Sequence, residues 1–204
     1  MSKTMKNKIE YRAKFELNDD ARVISGYAAV YDSLEDMNGY SEVIRKGAFT
    51  EDLIKRSDVI LNYNHNDELI IARPVNGEGT LRLEADEKGL YFECEVPNTT
   101  LGNDIYENIK LGNLFECSFC FILTKESSQN IYKTEDGVLV REILSIDGLY
   151  DCAICPHAAY SATSVEARSQ VETAYRNKLL LEKLDNINDE IAEQCSRISN
   201  YKII

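Results

Sequence analysis

This chain of 204 residues contains little of several residue types, and each shortage narrows what the protein can be. It has only three prolines and no long glycine- and serine-rich tract, which does not suit a disordered linker protein. No apolar run approaches the roughly 18 residues that a bilayer-spanning helix needs. The basic N-terminus is not followed by the apolar segment of a secretory signal. We therefore expect a globular protein that is kept in the cytosol and has no membrane partner.

Basic residues are also few. The chain has 23 Lys and Arg against 35 Asp and Glu, which gives a formal net charge of −12. A phosphate backbone requires clustered Lys and Arg, so general nucleic-acid binding is not expected. A hydrophobic fraction of 44% is sufficient for a core, and the length fits one domain with an appendage or two small domains.

Two Cys-x-x-Cys pairs, Cys117 with Cys120 and Cys152 with Cys155, raise a zinc-binding module as an alternative function. Both pairs lie in strand-like runs, and residues i and i+3 of an extended strand point to opposite faces. The two sulfurs of one pair could then not grip the same ion. In the reducing cytosol we expect free thiols, most of them buried, and neither a metal nor a cofactor.

Short strand-like runs separated by turn residues dominate the first two-thirds of the chain. The predicted strands are residues 9–17, 22–31, 58–64, 69–73, 79–85, 89–96, 114–123, 138–146 and 149–155. Two predicted helices interrupt them: residues 49–56, and residues 100–111, which open on a capping threonine and end at Gly112. The pattern predicts an α+β fold that is mainly β, a barrel or sandwich covered by a few helices.

After Arg168 the chain changes character, because residues 169–204 contain no glycine or proline and mostly good helix formers. An apolar seam of about three heptads follows there, with Gln194 at its one polar position. Its members are Leu180, Leu184, Ile187, Ile191 and Ile198. We therefore divide the chain into a domain, residues 1–168, and a C-terminal helical segment, residues 169–204. The segment either packs on its own domain or serves self-association or docking.

Histidine is the scarcest chemically useful residue, with only His65 and His157 present. Few side chains other than imidazole can take a proton from a serine hydroxyl near neutral pH. His65 ends an alternating run in which Val59, Leu61, Tyr63 and His65 are expected to share one face. Any serine-hydrolase mechanism must use one of these two histidines.

A serine and a carboxylate stand out in two later apolar runs. Ser118 lies in the run 114–122, whose aromatic residues share the opposite face. Asp151 is a lone carboxylate in an apolar stretch, a placement that usually has a partner. A serine, an imidazole and a carboxylate that orients the imidazole make a nucleophilic triad, so Ser118, His65 and Asp151 are the candidates.

Nine short blocks of the chain form a pattern in a fixed order. They are residues 25–31 (SGYAAVY), 42–49 (EVIRKGAF), 64–66 (NHN), 80–83 (TLRL), 89–92 (GLYF), 118–121 (SFCF), 141–143 (REI), 149–151 (LYD) and 159–163 (AYSAT). In these blocks and their order the chain resembles the prohead (head-maturation) proteases of tailed bacteriophages, whose fold is related to that of the herpesvirus assembly protease.

This resemblance implies a herpesvirus-protease-like β-barrel and a serine endopeptidase. Ser118 would be the nucleophile, His65 the general base and Asp151 the group that orients His65. His157 is the alternative third member, because the herpesvirus relatives use histidine there. The implied substrates are the scaffold, extensions of the major capsid protein and the protease itself, inside the assembling procapsid in the bacterial cytoplasm. The herpesvirus enzymes also suggest a homo-oligomer, in particular a dimer.

The sequence departs from the family's pattern at four positions. Cys120 replaces a glycine, Asp151 a glutamate, Ala153 a serine and Ala158 a proline. These departures leave a catalytically inactive capsid-assembly or scaffold protein as the alternative function. By charge alone, Arg141 and Arg168 are candidate oxyanion donors, and a surface salt bridge is an equally suitable role for each.

Overall fold

Fourteen strands and three α-helices are present in the residues that the structure, a computed structural model, describes: 15–18, 21–75, 78–158 and 165–200. The strands are β1 Glu16–Asn18, β2 Val23–Val30, β3 Leu34–Asp36, β4 Ser41–Ile44, β5 Ile60–Tyr63, β6 Asn66–Ala72, β7 Pro74–Val75, β8 Glu78–Gly79, β9 Leu81–Ala85, β10 Gly89–Glu95, β11 Glu116–Ile122, β12 Gln129–Lys133, β13 Leu139–Ile143 and β14 Gly148–Cys155. The helices are α1 Glu51–Arg56, α2 Thr100–Lys110 and α3 Val165–Asn200.

Within these ranges the strands form three four-stranded sheets and a two-stranded ribbon of β7 and β8. The first sheet has the order β1-β2-β10-β9, the second β11-β14-β5-β6 and the third β12-β13-β4-β3. All pairs are antiparallel except β14 with β5 and β13 with β4. With 42% strand against 28% helix, the expectation of a mainly β fold is confirmed. The hydrogen-bonded order closes none of these sheets on itself, so the barrel remains a prediction.

Several predicted strand boundaries were wrong. The sequence pattern missed β3, β4 and β12, because these strands are short and rich in polar residues that leave no alternation. It also placed the start of β6 at Leu69, whereas β6 begins at Asn66, directly after a two-residue turn. Residues 9–14 of the first predicted strand lie outside the described part of the chain.

The main core lies among the first two sheets and the helices α1 and α2. Its fully buried side chains include Ile24, Leu53, Leu61, Phe92 and Ile154. Burial of such side chains contributes roughly 1.5–3 kcal/mol each and is the main stabilising term. The second sheet therefore has one face fixed against this core, and its other face carries the polar residues of interest.

The two short helices begin where a threonine satisfies a free backbone N–H. Thr50 accepts from the N–H of Leu53 at the start of α1, and Thr99 accepts from Gly102 at the start of α2. The capping threonine of α2 is thus Thr99. The predicted end of this helix is confirmed, because Gly112 follows its C-cap with φ of 75°, a conformation that favours glycine.

The long helix α3 packs on the third sheet only near its beginning. Val171 is buried in a small cluster with Tyr40, Ile131 and Leu139. The Lys178 ammonium then donates to the Ile131 carbonyl at 3.1 Å and thereby covers part of the outer edge of β12. None of the helices in the described ranges is both long and apolar enough to cross a membrane. The division of the chain at residue 168 stays a prediction.

Candidate active site

His65 lies in the turn that joins β5 to β6. Tyr63 pairs with Asn66 across the hairpin, and the two residues between them, Asn64 and His65, both have φ of 56°. A two-residue hairpin loop with positive φ at both positions is a type I′ turn, which asparagine favours. The Asn64 N–H also donates to the Ile154 carbonyl at 3.0 Å, which ties the turn to β14.

This turn corrects one sequence prediction. Val59 and Leu61 are fully buried and Tyr63 packs against the same core, but His65 does not continue their face. The strand ends at Tyr63, and the positive φ values redirect the chain before the imidazole. The ring therefore turns toward β14, away from the core side of the sheet.

Asp151 is the partner of His65. The imidazole Nδ1 lies 2.9 Å from Asp151 Oδ1, and the carboxylate side chain is 9% exposed against 39% for the histidine side chain. Because an ionised carboxylate can only accept, Nδ1 carries the hydrogen of a neutral ring and Nε2 is left as the acceptor. The expectation that the lone carboxylate has a partner is confirmed.

Ser118 lies on the strand beside Asp151 and on the same face of the sheet. In the antiparallel register Ser118 is opposite Ala153, and Cys120 is opposite Asp151. Same-face diagonal neighbours of this kind lie about 7–8 Å apart, which leaves room for one imidazole ring between them. Ser118 is 7% exposed, so it is more buried than expected from its polar face.

No hydrogen bond joins the Ser118 hydroxyl to His65 or to another group in the described residues. The structure thus brings His65 and Asp151 into contact and places Ser118 on the adjacent strand without closing the third contact. Catalytic hydrogen bonds are often long or open in the absence of substrate.

The opposite face of β11 holds this serine strand in place. The Phe119 ring lies 5.5 Å from Phe49 in an edge-on contact and 5.2 Å from Phe121 in a stacked one. Phe49 ends the block 42–49, so that block contacts the serine strand directly. The prediction that the aromatic residues face the core is confirmed for Phe119 and Phe121.

Asn62 is the site residue that the sequence interpretation missed. Its side chain is fully buried, and its Nδ2 lies 3.2 Å from Asp151 Oδ2 and 3.4 Å from Asp67 Oδ1. It is the polar residue of the apolar strand β5, the same signal that pointed to Asp151 in β14. A polar residue within an apolar strand is therefore the sequence signal that indicates Asn62.

His157, the alternative third member, is exposed and lies beyond the end of β14. The neighbouring Ala158 N–H donates to the Glu116 carboxylate, which fixes this segment against the start of β11. His65 Nδ1 is already engaged by Asp151, so the described contacts favour the carboxylate.

The cysteines have the geometry of strand residues. Cys117 is buried whereas Cys120 is exposed, as expected for opposite faces, and Cys152 and Cys155 are both buried. Burial raises the pKa of the Cys155 thiol to about 12. Burial, together with the negative charges of Asp151 and Asp67, also raises the pKa of Cys120. A raised pKa keeps these thiols protonated near neutral pH, so none of them is an activated thiolate. In the described ranges no three His, Cys, Asp or Glu side chains converge as a metal site requires.

A comparison with protein families identifies the family of this chain. A model of the caudovirus prohead serine protease family matches residues 7–177, which include every candidate site residue. The chain belongs to this family. A comparison with curated protein sequences found no match.

Membership gives the class of reaction and its setting. The protein is a serine protease with a role in phage head maturation. Proteases of this kind act inside the assembling procapsid, where capsid and scaffold proteins are the substrates.

Proposed function

We propose that Ser118, His65 and Asp151 form the catalytic triad of this protease. The contact between His65 Nδ1 and Asp151 Oδ1 at 2.9 Å is the observation that carries the proposal. It leaves Nε2 as the basic nitrogen, and the register puts Ser118 on the neighbouring strand of the same face. Asp151 is preferred to His157 as third member because the carboxylate already holds the ring.

In the proposed mechanism, Ser118 Oγ attacks the peptide carbonyl while His65 Nε2 takes its proton. Asp151 keeps the ring in the required tautomer and stabilises the imidazolium that forms. His65 then returns the proton to the leaving amine, and water hydrolyses the acyl-enzyme. Closing the remaining contact when substrate binds requires movement of the Ser118 or His65 side chain.

Arg141 and Arg168 are candidate oxyanion donors by charge alone. Arg141 Nη1 donates to Glu42 at 3.1 Å and its Nε donates to Gln129 at 2.7 Å, both within the third sheet. These bonds favour a structural role for Arg141. The side chain of Arg168 lies outside the described part of the chain.

The specific substrates in this proposal are the scaffold, the extension of the major capsid protein and the protease chain itself, in procapsids within the host cytoplasm. The test incubates the purified protein with its capsid protein and scaffold and maps the products by mass spectrometry. Ser118→Ala, which removes one oxygen atom, is the matched control. Cleavage by the wild type alone is the expected result. Intact substrates with both proteins would instead favour an inactive assembly protein on the same fold.

The distal half of α3 supplies a second surface. Its seam residues Leu180, Leu184, Ile187 and Ile191 are each at least half exposed. A seam of this spacing is typical of a two-stranded coiled coil. Two parallel copies in register would place Gln194 of one helix opposite Gln194 of the other. The one polar position of the seam would then face a polar residue and not an apolar one. We therefore propose that a second copy of this chain covers the seam.

Sedimentation of the full chain tests this dimer. The double variant Leu184→Glu and Ile187→Glu should convert dimer to monomer, because it places like charges in the seam. Asp189→Ala, on the outward side of the same helix, should leave the dimer intact. A monomeric wild type, or a seam that binds scaffold but not itself, would contradict the proposal. A truncated chain that lacks the seam should end at Lys178, because Val171 and Lys178 contact the third sheet.

A further inference from the structure

We propose that Asn62 is a positioning residue that holds the Asp151 carboxylate in the orientation needed by His65. This inference rests on the proposed triad and extends it by one residue. The two oxygens of Asp151 divide their contacts: Oδ1 meets His65 Nδ1 at 2.9 Å, and Oδ2 accepts from Asn62 Nδ2 at 3.2 Å. With both oxygens engaged, rotation of the carboxylate about its last bond breaks at least one contact.

The Asn62 amide is itself oriented by its surroundings. Its Nδ2 faces two carboxylates, Asp151 at 3.2 Å and Asp67 at 3.4 Å. A flipped amide would turn its oxygen toward both negative groups, so the donor must point to them. Asn62 therefore acts as a donor between Asp151 on β14 and Asp67 at the start of β6.

The oxygen of the Asn62 amide indicates why an asparagine occupies this position. Among the buried side-chain nitrogen and oxygen atoms in the part of the chain that the structure describes, one has no hydrogen-bond partner. This atom is Asn62 Oδ1. Leaving a buried oxygen unpaired destabilises a fold, and an aliphatic side chain of similar size would avoid the loss. The N–H contact with Asp151 is the feature that an aliphatic residue could not supply.

Position in the sheet explains the effect on chemistry. Asn62 pairs with Ala153 on β14, and Ala153 pairs with Ser118 on β11, so the three residues form one row across the sheet. Asp151 lies in the next row of the same face. Asn62 thus contacts the carboxylate from the side of Asp151 that faces away from the serine strand.

The test measures how fast a fluorophosphonate probe modifies Ser118 in the full chain. For Asn62→Leu, which keeps the number and branching of the side-chain heavy atoms and has no donor, we expect the maximal rate of modification to fall on the order of 10-fold to 100-fold. The concentration for half-maximal rate should not change. Leu61→Val, a core change on the opposite face of β5, is the control for lost stability and should react at the wild-type rate. Equal rates for Asn62→Leu and wild type would overturn the inference.

A second variant separates positioning from packing. Asn62→Asp introduces a carboxyl that can donate only while protonated. Beside Asp151 and Asp67 the pKa of this introduced carboxyl is raised, because adjacent carboxylates resist joint ionisation. The titratable groups in contact with Asn62 are Asp151 and Asp67. Asp151 in turn contacts His65, and Cys120 interacts with both carboxylates. The rate relative to wild type should fall as pH rises. If the rate of Asn62→Asp relative to wild type were the same at every pH and equal to that of Asn62→Leu, Asn62 would not act as a hydrogen-bond donor to Asp151.

The hydrogen on His65 Nδ1 gives a readout that does not depend on protease activity. With two histidines in the chain, His157→Gln assigns the far-downfield Nδ1–H resonance in a proton NMR spectrum. This resonance should weaken or vanish in Asn62→Leu, because the freed carboxylate holds the ring less well. An unchanged resonance would overturn the inference even if the wild type failed to react with the probe. Failure of the wild type to react would count against the triad alone.

Discussion

The second sheet and the distal half of α3 place polar and apolar side chains in opposite environments. In the sheet, Asn62 and Asp151 are buried and hydrogen-bonded to each other. On the helix, large apolar side chains such as Leu184 and Ile191 are more than half exposed. In the sheet the polar side chains contact one another within one chain, whereas the helix leaves apolar side chains exposed. Under the two proposals made above, the catalytic residues all come from one chain and the helix serves self-association.

The largest expected effect comes from the nucleophile. Ser118→Ala should lower the catalytic rate by about 10⁶-fold, the loss typical when a triad serine is removed. The melting temperature should hardly change, because the hydroxyl makes no hydrogen bond within the described residues. Cleavage of capsid protein and thermal unfolding measure the two quantities. Retained cleavage would place the nucleophile elsewhere.

Asp151→Asn should lower the catalytic rate by about 10⁴-fold while preserving the shape of the site. An amide can donate to His65 Nδ1, so the ring would adopt the tautomer that lacks a basic Nε2. His157→Gln is the matched control and should retain activity. If His157→Gln were the inactive variant, the third member would have been assigned to the wrong residue.

The comparison between sheet and helix is tested most simply by the same truncation at a buried and an exposed leucine. Leu61→Ala removes a fully buried side chain from β5 and should lower the free energy of unfolding by about 2–5 kcal/mol.

Leu184→Ala removes an exposed side chain from α3 and should change the stability of the monomer by about 0.5 kcal/mol or less. Urea unfolding at a protein concentration below dimer formation measures both variants. Similar losses for the two leucines would mean that the distal helix packs on its own domain.

The smallest expected effect is a loss of stability in acid where α3 meets the third sheet. Hydrogen bonds from Arg45 and Asn130, with the charges of Arg45 and Lys178, lower the pKa of Glu142. A lowered pKa in the folded state adds stability above the ordinary glutamate pKa of about 4.3, and this stability is lost as pH falls through the folded value. The stability difference between wild type and Glu142→Gln should therefore shrink below about pH 4. A difference independent of pH would contradict the charge argument.

Much of the site could be predicted from composition and strand periodicity. Ser118 and Asp151 are polar residues in apolar strands, and the scarcity of histidine left only His65 and His157 to consider. Asn62 is also a polar residue in an apolar strand, but an uncharged amide is a weaker signal of a buried partner than a carboxylate. Long-range pairing is what the sequence could not supply, because the parallel contact between β5 and β14 joins segments about 90 residues apart.

The errors in the fold have a local origin. The predicted alternation of buried and exposed side chains continues through His65. It ends earlier in the structure, because Asn64 is a residue that readily adopts positive φ in a turn. The strands β3, β4 and β12 are held by pairing and by ion pairs such as Arg141 with Glu42, which leave no hydrophobic period. Tertiary contacts decide such strands, and propensity alone does not detect them.

The most direct measurement of the central assignment is the site of covalent modification by a fluorophosphonate in the full chain. We predict a single modified residue, Ser118, found by peptide mapping, and loss of the modification in His65→Gln. Modification at another serine, or a reaction at Ser118 that is unaffected by His65→Gln, would contradict the account.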